Sequence, residues 1–190
     1  MQHTTMVRAL IPAWLLSLSA CGFASVSPIV TDADIQFDAR LVGTWTDSAG
    51  EESARITRAD AGTYSVEYRD DAGKTGRFEG RLGRIGQFRV LDLQPSDPAP
   101  RANDMYKSLI VRAHGVVVLD SIGDALVFRL VESDSVKAFL QQRPDEVPHS
   151  KEGGILLTGS SEQVRRFLAT FMARPGVLGD QQVWPRKAAG

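Results

Sequence analysis

Residues 64–82 read Tyr64-Ser65-Val66-Glu67-Tyr68-Arg69-Asp70-Asp71-Ala72-Gly73-Lys74-Thr75-Gly76-Arg77-Phe78-Glu79-Gly80-Arg81-Leu82, and this stretch decides the fold class. Tyr64, Val66 and Tyr68 alternate with Ser65, Glu67 and Arg69, the period of a strand with one face buried. Phe78, Gly80 and Leu82 alternate with Arg77, Glu79 and Arg81 in the same way. Asp70-Asp71-Ala72-Gly73 lies between the two runs and carries turn-forming residues, so the stretch is an antiparallel hairpin.

The pattern continues on both sides. Ser53–Arg58 precedes the hairpin as a strand, joined to it through Ala59-Asp60-Ala61-Gly62. Phe88–Leu93 follows it, and Pro95 ends that strand. Residues 94–104 hold Pro95, Pro98 and Pro100 without apolar periodicity and read as a loop. A long strand is expected over Lys107–Asp120, with Gly115 as a bulge or bend. Ser121–Asp124 then turns into an alternating run at Leu126, Phe128 and Leu130. Consecutive antiparallel strands of this kind form a meander.

Two helices close the chain. Ser133 or Asp134 is placed to cap a short one carrying Val136, Phe139 and Leu140. A short strand is expected at Ile155–Thr158. Ser160-Ser161-Glu162-Gln163 is a capping box. It opens a helix with an apolar stripe at Val164, Phe167, Leu168, Phe171 and Met172. The expected fold is mainly β, α+β by content. An antiparallel meander forms a barrel or a strongly curved sheet, packed by two C-terminal helices at about 134–142 and 161–173.

The 190 residues fit one such domain plus an appendage. Lys and Arg number 22 against 23 Asp and Glu, a net charge of −1, so the chain lacks the basic excess of a general nucleic-acid binder. The single cysteine excludes an internal disulfide and a zinc site built from clustered cysteines.

That cysteine lies in the appendage. The N-terminus, MQHTTMVRALIPAWLLSLSAC, has Arg8 followed by an apolar run from Ala9 to Leu18. The run is too short to span a bilayer, which needs roughly 20 apolar residues, and has the layout of a secretory signal peptide. Leu18-Ser19-Ala20-Cys21 resembles the bacterial lipobox. The resemblance implies cleavage between Ala20 and Cys21 and lipidation of Cys21. It therefore implies a membrane partner reached through the N-terminal lipid. Ordinary secretion, with cleavage after Ala24, is the alternative. Gly22 stands where an aspartate resembles an inner-membrane retention signal. The outer membrane is therefore favoured, in a host with two membranes, with the domain in the periplasm. Loss of residues 1–20, which carry one cation and no acid, takes the net charge from −1 to −2. The chain thus divides into a signal peptide (1–20), a lipidated cysteine with a tether (21–38), and one β-rich domain (39–186).

Leu41-Val42-Gly43-Thr44-Trp45 opens the first strong strand. Gly43 and Trp45 resemble the Gly-x-Trp signature of lipocalins and the wider calycins. The resemblance implies a barrel whose end the tryptophan plugs and which the glycine lets the chain enter tightly. It departs from that pattern in having about seven convincing strands rather than eight, and no Thr-Asp-Tyr-type motif. Taken whole, the chain resembles small bacterial lipoproteins of uncharacterised activity, which implies location and fold only.

No catalytic constellation stands out. Gly-x-Ser-x-Gly and Ser-x-x-Lys are absent, as are a metal-ligand spacing and a cofactor motif. The histidines of the expected mature chain, His114 and His149, show no identifiable partner; His114 is expected on a polar strand face or at a bend. Asp92, Asp120 and Asp124 read as strand-end and turn residues. Arg55, Arg69, Arg77, Arg81 and Arg89 alternate outward beside Glu67 and Glu79. They predict cross-strand ion pairs; a patch for anionic lipid headgroups is the competing use. The inward aromatic set is Trp45, Tyr64, Tyr68, Phe78, Phe88 and Phe128. Two readings follow, both non-catalytic. In the first, a lipid-anchored envelope protein binds a small apolar ligand in a lipocalin-like barrel, with Tyr64, Tyr68, Phe78, Phe88 and Phe128 as lining. In the second, the core is filled and the protein is a structural or accessory partner of another envelope protein.

Overall fold

The computed structural model describes residues 23–96, 103, 105, 107, 109–150 and 154–188. The expected signal peptide and cleavage site, with Cys21 and Gly22, lie outside the described residues.

The hairpin expected around Asp70–Gly73 is present. Strands β4 (Tyr64–Arg69) and β5 (Thr75–Ile85) pair antiparallel, with Val66 opposite Phe78. Gly73 takes φ +75°, which an L side chain rarely adopts, and its amide donates to Asp70 O. The meander extends through β2 (Gly43–Thr46), β3 (Ser53–Arg58), β6 (Phe88–Pro95), β7 (Gly115–Ile122) and β8 (Ala125–Leu130). The eighth strand is β11 (Gln182–Pro185), which pairs with β8 and comes from a segment whose sequence reads as a tail. The sheet order is β11-β8-β7-β6-β5-β4-β3-β2. Its two edges approach each other: Trp45 and Arg186 form a bridge, and the Lys187 amide donates to Thr44 O. The eight strands therefore make a nearly closed antiparallel barrel.

Two cores flank the barrel wall. The interior holds Leu41, Trp45, Ile56, Tyr64, Val66, Leu82, Leu91, Leu119, Phe128 and Trp184. The second core lies outside, where helices α1 (Ser133–Gln142) and α2 (Ser161–Met172) cover the wall with Val136, Leu140, Val164, Phe167, Leu168 and Phe171. Strands β6 and β7 are buried on both faces. Val90, Val116 and Val118 face the helices while Leu91 and Leu119 face the barrel, which explains the unbroken apolar run Val116–Leu119 of β7. The capping box is formed: Ser160 Oγ accepts from Gln163 N, and Gln163 Oε1 accepts from the Ser160 amide. By contrast α1 starts at Ser133 after Glu132, with no side-chain cap.

Three expectations are corrected. The strand expected to start at Lys107 starts at Gly115; Leu109 and Val111 before it are exposed rather than paired. Residues 23–38, expected to be a tether, belong to the fold. Phe23–Ser25 forms β1, parallel to β10 (Ile155–Leu157), which also pairs with β9 (His149–Ser150). Ile29 and Val30 are fully buried against Ile85, Val90 and the helices. The apolar residues scattered through that polar stretch are its packing face. The third concerns Phe88, which packs with the outer core beside the helices, not in the barrel.

Candidate functional site

The barrel interior was the expected ligand chamber, and side chains occupy it. Trp45, Tyr64 and Leu82 are wholly inaccessible to solvent, and Ile56 and Leu91 nearly so. Of the expected lining residues, Tyr64 and Phe128 are buried there, and Tyr68 and Phe78 pack at its margin. Tyr68 stacks on Trp184, whose ring meets Phe128 edge-on at 5.3 Å.

Both tyrosine hydroxyls have protein partners. Tyr64 accepts from the Asp38 amide at 2.7 Å and donates to Asp38 O. Tyr68 donates to Glu52 Oε1 at 2.9 Å. Burial pushes both phenols above their usual range, and Glu52 raises Tyr68 further, so both remain donors at neutral pH. Burial also raises the Glu52 carboxyl, against the hydrogen bond from Tyr68. Neither hydroxyl is left seeking a ligand.

The Gly43 and Trp45 positions form the barrel seam. Trp45 Nε1 donates to Leu41 O at 3.0 Å, and the Arg186 guanidinium lies 4.1 Å from the centre of the indole ring. Arg186 also donates to Val42 O and Arg40 O, tying β11's exit to the chain entering β2. A Cβ on Gly43 would overlap that guanidinium, so any side chain there displaces Arg186 from its place over Trp45.

A buried polar junction joins the wall to the N-terminal segment. Leu93 pairs with Gly115, which brings Gln94 opposite His114, with Asp92 on the same face two residues away. Asp92 Oδ2 accepts from the Ile29 and Val30 amides at 2.8 and 3.0 Å, while Oδ1 lies 2.9 Å from His114 Nδ1. Gln94 Nε2 donates to Arg112 O, which fixes its amide orientation. The same nitrogen lies 3.0 Å from His114 Nε2. An amide nitrogen only donates, so His114 Nε2 accepts and Nδ1 carries the proton given to Asp92. Asp92 and His114 are 1% and 3% exposed. The histidine expected on a polar face is a buried connector, and Asp92 is its partner rather than a turn residue. Both ring nitrogens are engaged. The signal was present in Leu91-Asp92-Leu93, an acid inside an apolar strand, but its partner lies 22 positions further along the chain.

The expected cross-strand ion pairs are met at Arg77, which faces Glu67 across β4 and β5. Arg81 pairs within its own strand and with Asp32, Arg89 lies on the face of β6 that Leu91 shares and reaches Asp38, and Arg69 donates to Ser53 Oγ and Gly50 O. Arg77 meets Glu67 at 3.0 Å, Arg81 meets Glu79 at 3.0 Å and Asp32 at 2.8 Å, and Arg89 meets Asp38 at 2.6 Å. Hydrogen bonds from Arg40, with Arg89 adding, hold the Asp38 carboxyl well below the usual carboxylate range against the effect of burial. Asp120 is the extra residue of a bulge between Leu119 and Ser121. Burial alone would raise it, but hydrogen bonds from Arg129 and Gln181 outweigh this and lower it.

Open clefts lie outside the barrel. One, about 740 Å³, is lined by Ser133, Lys137, Leu140, Pro144, His149 and Ile155 among others. The second, about 460 Å³, lies among Asp32, Ile35, Thr63 and Arg81. Among the described residues no three His, Cys, Asp or Glu side chains group as a metal site, and no helix is long and apolar enough to cross a membrane. No family model matches the chain, and no curated protein or solved structure matches it significantly.

Proposed function

We propose that the protein is a lipid-anchored, non-catalytic accessory protein of the cell envelope, attached through Cys21, which acts through its surface rather than a chamber. The observation that carries this reading is the occupied barrel interior. Trp45, Tyr64, Ile56, Leu82 and Leu91 fill it, and both tyrosine hydroxyls are satisfied within the protein. A barrel of this strand number holds either its own side chains or one small ligand. The lipobox-like Leu18-Ser19-Ala20-Cys21 supports the anchor, and Gly22 supports the outer membrane, with the domain periplasmic.

A small apolar ligand is the second reading, favoured by one observation. The cleft of about 740 Å³ beside α1 has the size of a small-molecule site, with Leu140, Pro144 and Ile155 in its wall. In that case the ligand lies outside the barrel, and Tyr64, Tyr68, Phe78, Phe88 and Phe128 do not line its site.

Native mass spectrometry of the protein extracted from membranes separates the two. The accessory reading expects the mass of the acylated chain, with a discrete protein adduct after crosslinking in whole envelopes. A ligand-sized mass released on denaturation would replace it with the binding reading. Cys21→Ser is expected to abolish palmitate incorporation and membrane fractionation; unchanged fractionation refutes the anchor.

A further inference from the structure

We infer that one mouth of the barrel is a binding site for a phosphate-bearing ligand, gripped by a rim of arginines centred on Arg84 and Arg89. The inference goes beyond the proposed function, and it holds whether or not Cys21 is acylated.

Three observations carry it. The first is placement. In the antiparallel meander β3, β5 and β11 end, and β6 and β8 start, at the same end of the barrel. Alternate residues of a strand share a face. Two positions from the inward-facing Ile56, Leu82, Leu91 and Trp184, toward that end, stand Arg58, Arg84, Arg89 and Arg186. Four strands thus carry their inward-facing row to the rim and finish it, at or just past the strand end, with an arginine. Residues 38–42 cross the same mouth and add Arg40. Asp38 is held there by Tyr64 and Arg89, and Arg186 donates to Arg40 O and Val42 O.

The second is charge. Among the described residues Asp38 is the one carboxylate that these five guanidiniums engage, taking Arg40 at 2.7 Å and Arg89 at 2.6 Å. Arg58 and Arg186 lie 4.6 and 4.1 Å from the centres of the Phe37 and Trp45 rings instead. Arg84 is exposed, has no acidic partner among the described residues, and stands directly opposite Arg89 on the paired strand, where like charges repel. Asp124 enters β8 at the same mouth, while Asp60 lies in the outer cleft with Glu79 and Arg81. Five cations against Asp38 and Asp124 leave an excess of three, in a chain whose net charge is −1.

The third is chemistry. A guanidinium presents its donors as a planar fork that matches the oxygens of a phosphate two at a time. Directly opposed residues of an antiparallel pair have Cβ atoms about 4.5–5.5 Å apart, so Arg84 and Arg89 reach one phosphoryl group together. Arg84 gives up no partner to do so. Arg89 bonds Asp38 through Nη2, and among the described residues its other nitrogens make no hydrogen bond. A phosphate monoester brings about two negative charges and three acceptor oxygens, where a carboxylate brings a single charge and a pair of oxygens. The excess of cations therefore selects phosphate.

The test uses the full-length protein in neutral detergent at low salt, titrated with inorganic pyrophosphate in a calorimeter. Saturable binding is expected, and added salt should weaken it. Arg84→Gln removes an exposed guanidinium that the fold does not use, so the protein stays folded and affinity is expected to fall about tenfold or more. Arg55→Gln is the control. Arg55 is exposed on the outer face of β3, between the inward-facing Ala54 and Ile56, and its loss should leave binding unchanged. Absence of saturable binding, undiminished binding by Arg84→Gln, an equal loss in Arg55→Gln, or equally tight binding of succinate each overturns the phosphate site. The source of the phosphate is read by adding phosphatidic acid to the micelles, with phosphatidylcholine as the blank. Displacement of pyrophosphate upholds the site with a lipid headgroup as its ligand, and retention of pyrophosphate upholds it with a soluble one.

Discussion

Replacing Asp92 by Ala tests whether the buried junction holds the N-terminal segment on the barrel. The carboxylate serves three donors: the Ile29 and Val30 amides and His114 Nδ1. His114 can change tautomer, but the two amides have no alternative in a region where Ile29 and Val30 are wholly buried. Each stranded amide costs about 1–3 kcal/mol, while the desolvation of the carboxylate is recovered, so the expected loss is about 2–4 kcal/mol. Against a total stability of about 5–15 kcal/mol this is a large fraction. Asp92→Asn is a sharper version. The single amide oxygen can still accept from Ile29 and Val30, which turns its NH2 toward His114. His114 must then accept at Nδ1 and present Nε2–H to Gln94, whose amide is held by Arg112 O. The conflict passes to an exposed carbonyl, and the expected loss falls to about 1–2 kcal/mol. Urea unfolding measures both losses. Hydrogen exchange should show lost protection at Ile29 and Val30 in Asp92→Ala before the barrel strands change. A loss below about 1 kcal/mol with those amides still protected would refute the role assigned to Asp92.

Four further outcomes follow from the same contacts. Arg186→Ala removes the guanidinium over Trp45 and its bonds to Val42 O and Arg40 O, and should cost about 1–2 kcal/mol in thermal or urea unfolding. Gly43→Ala displaces the same guanidinium, so the double variant should lose no more than the worse single one; additive losses would separate the two residues. Gly83→Ala drives a methyl group into Val30 and the Asp34 carbonyl, an overpacking cost of about 1–3 kcal/mol read from the urea midpoint. Asp38 is held well below the usual carboxylate range, so the unfolded chain binds its proton first as pH falls. Its stabilisation is complete above about pH 5 and is lost below the unfolded value near 3.9. Asp38→Asn should therefore be less stable than the natural chain at neutral pH and show a shallower decline between pH 5 and pH 3 in acid titrations of stability.

Strand periodicity made the barrel legible, because each wall strand from β3 to β5 has a buried and a solvated face and so alternates. Legibility failed where that condition failed. β7 is buried on both sides, and its apolar run merges with Leu109, Ile110 and Val111 before it, of which Leu109 and Val111 are exposed, so periodicity alone placed its start too early. β11 is four residues long, with Trp184 as its one deeply buried side chain, and its pairing with β8 depends on a chain reversal no local signal encodes. Phe88 alternates correctly in the sequence, but the wall has a core on each face, so parity alone does not say which core it joins.

The parts that bear on function were hidden for a related reason. Residues 22–38 are rich in Ser, Thr, Asp and Pro, the composition of a linker. Yet Phe23, Ile29 and Val30 suffice to seat the segment, because Asp92 satisfies two backbone amides that lie outside any ladder. A carboxylate standing in for a strand partner leaves no periodicity, so the most consequential contact of the segment is read only in three dimensions. Its consequence concerns orientation. A lipidated cysteine followed by a flexible tether would let the domain tumble freely above the bilayer. On the proposed anchor, a lipidated Cys21 two residues from a strand, whose segment is fastened by Asp92 and by the Ser25–His114 bridge, would commit the domain to a restricted set of poses. Asp92→Ala should therefore loosen more than the fold. In hydrogen exchange, the Ser25 and Val26 amides, which bond His114 O and Leu157 O, should lose protection even where the barrel remains folded. Retention of full protection there would mean that the Ser25–His114 bridge and the β10 pairing hold the segment without Asp92.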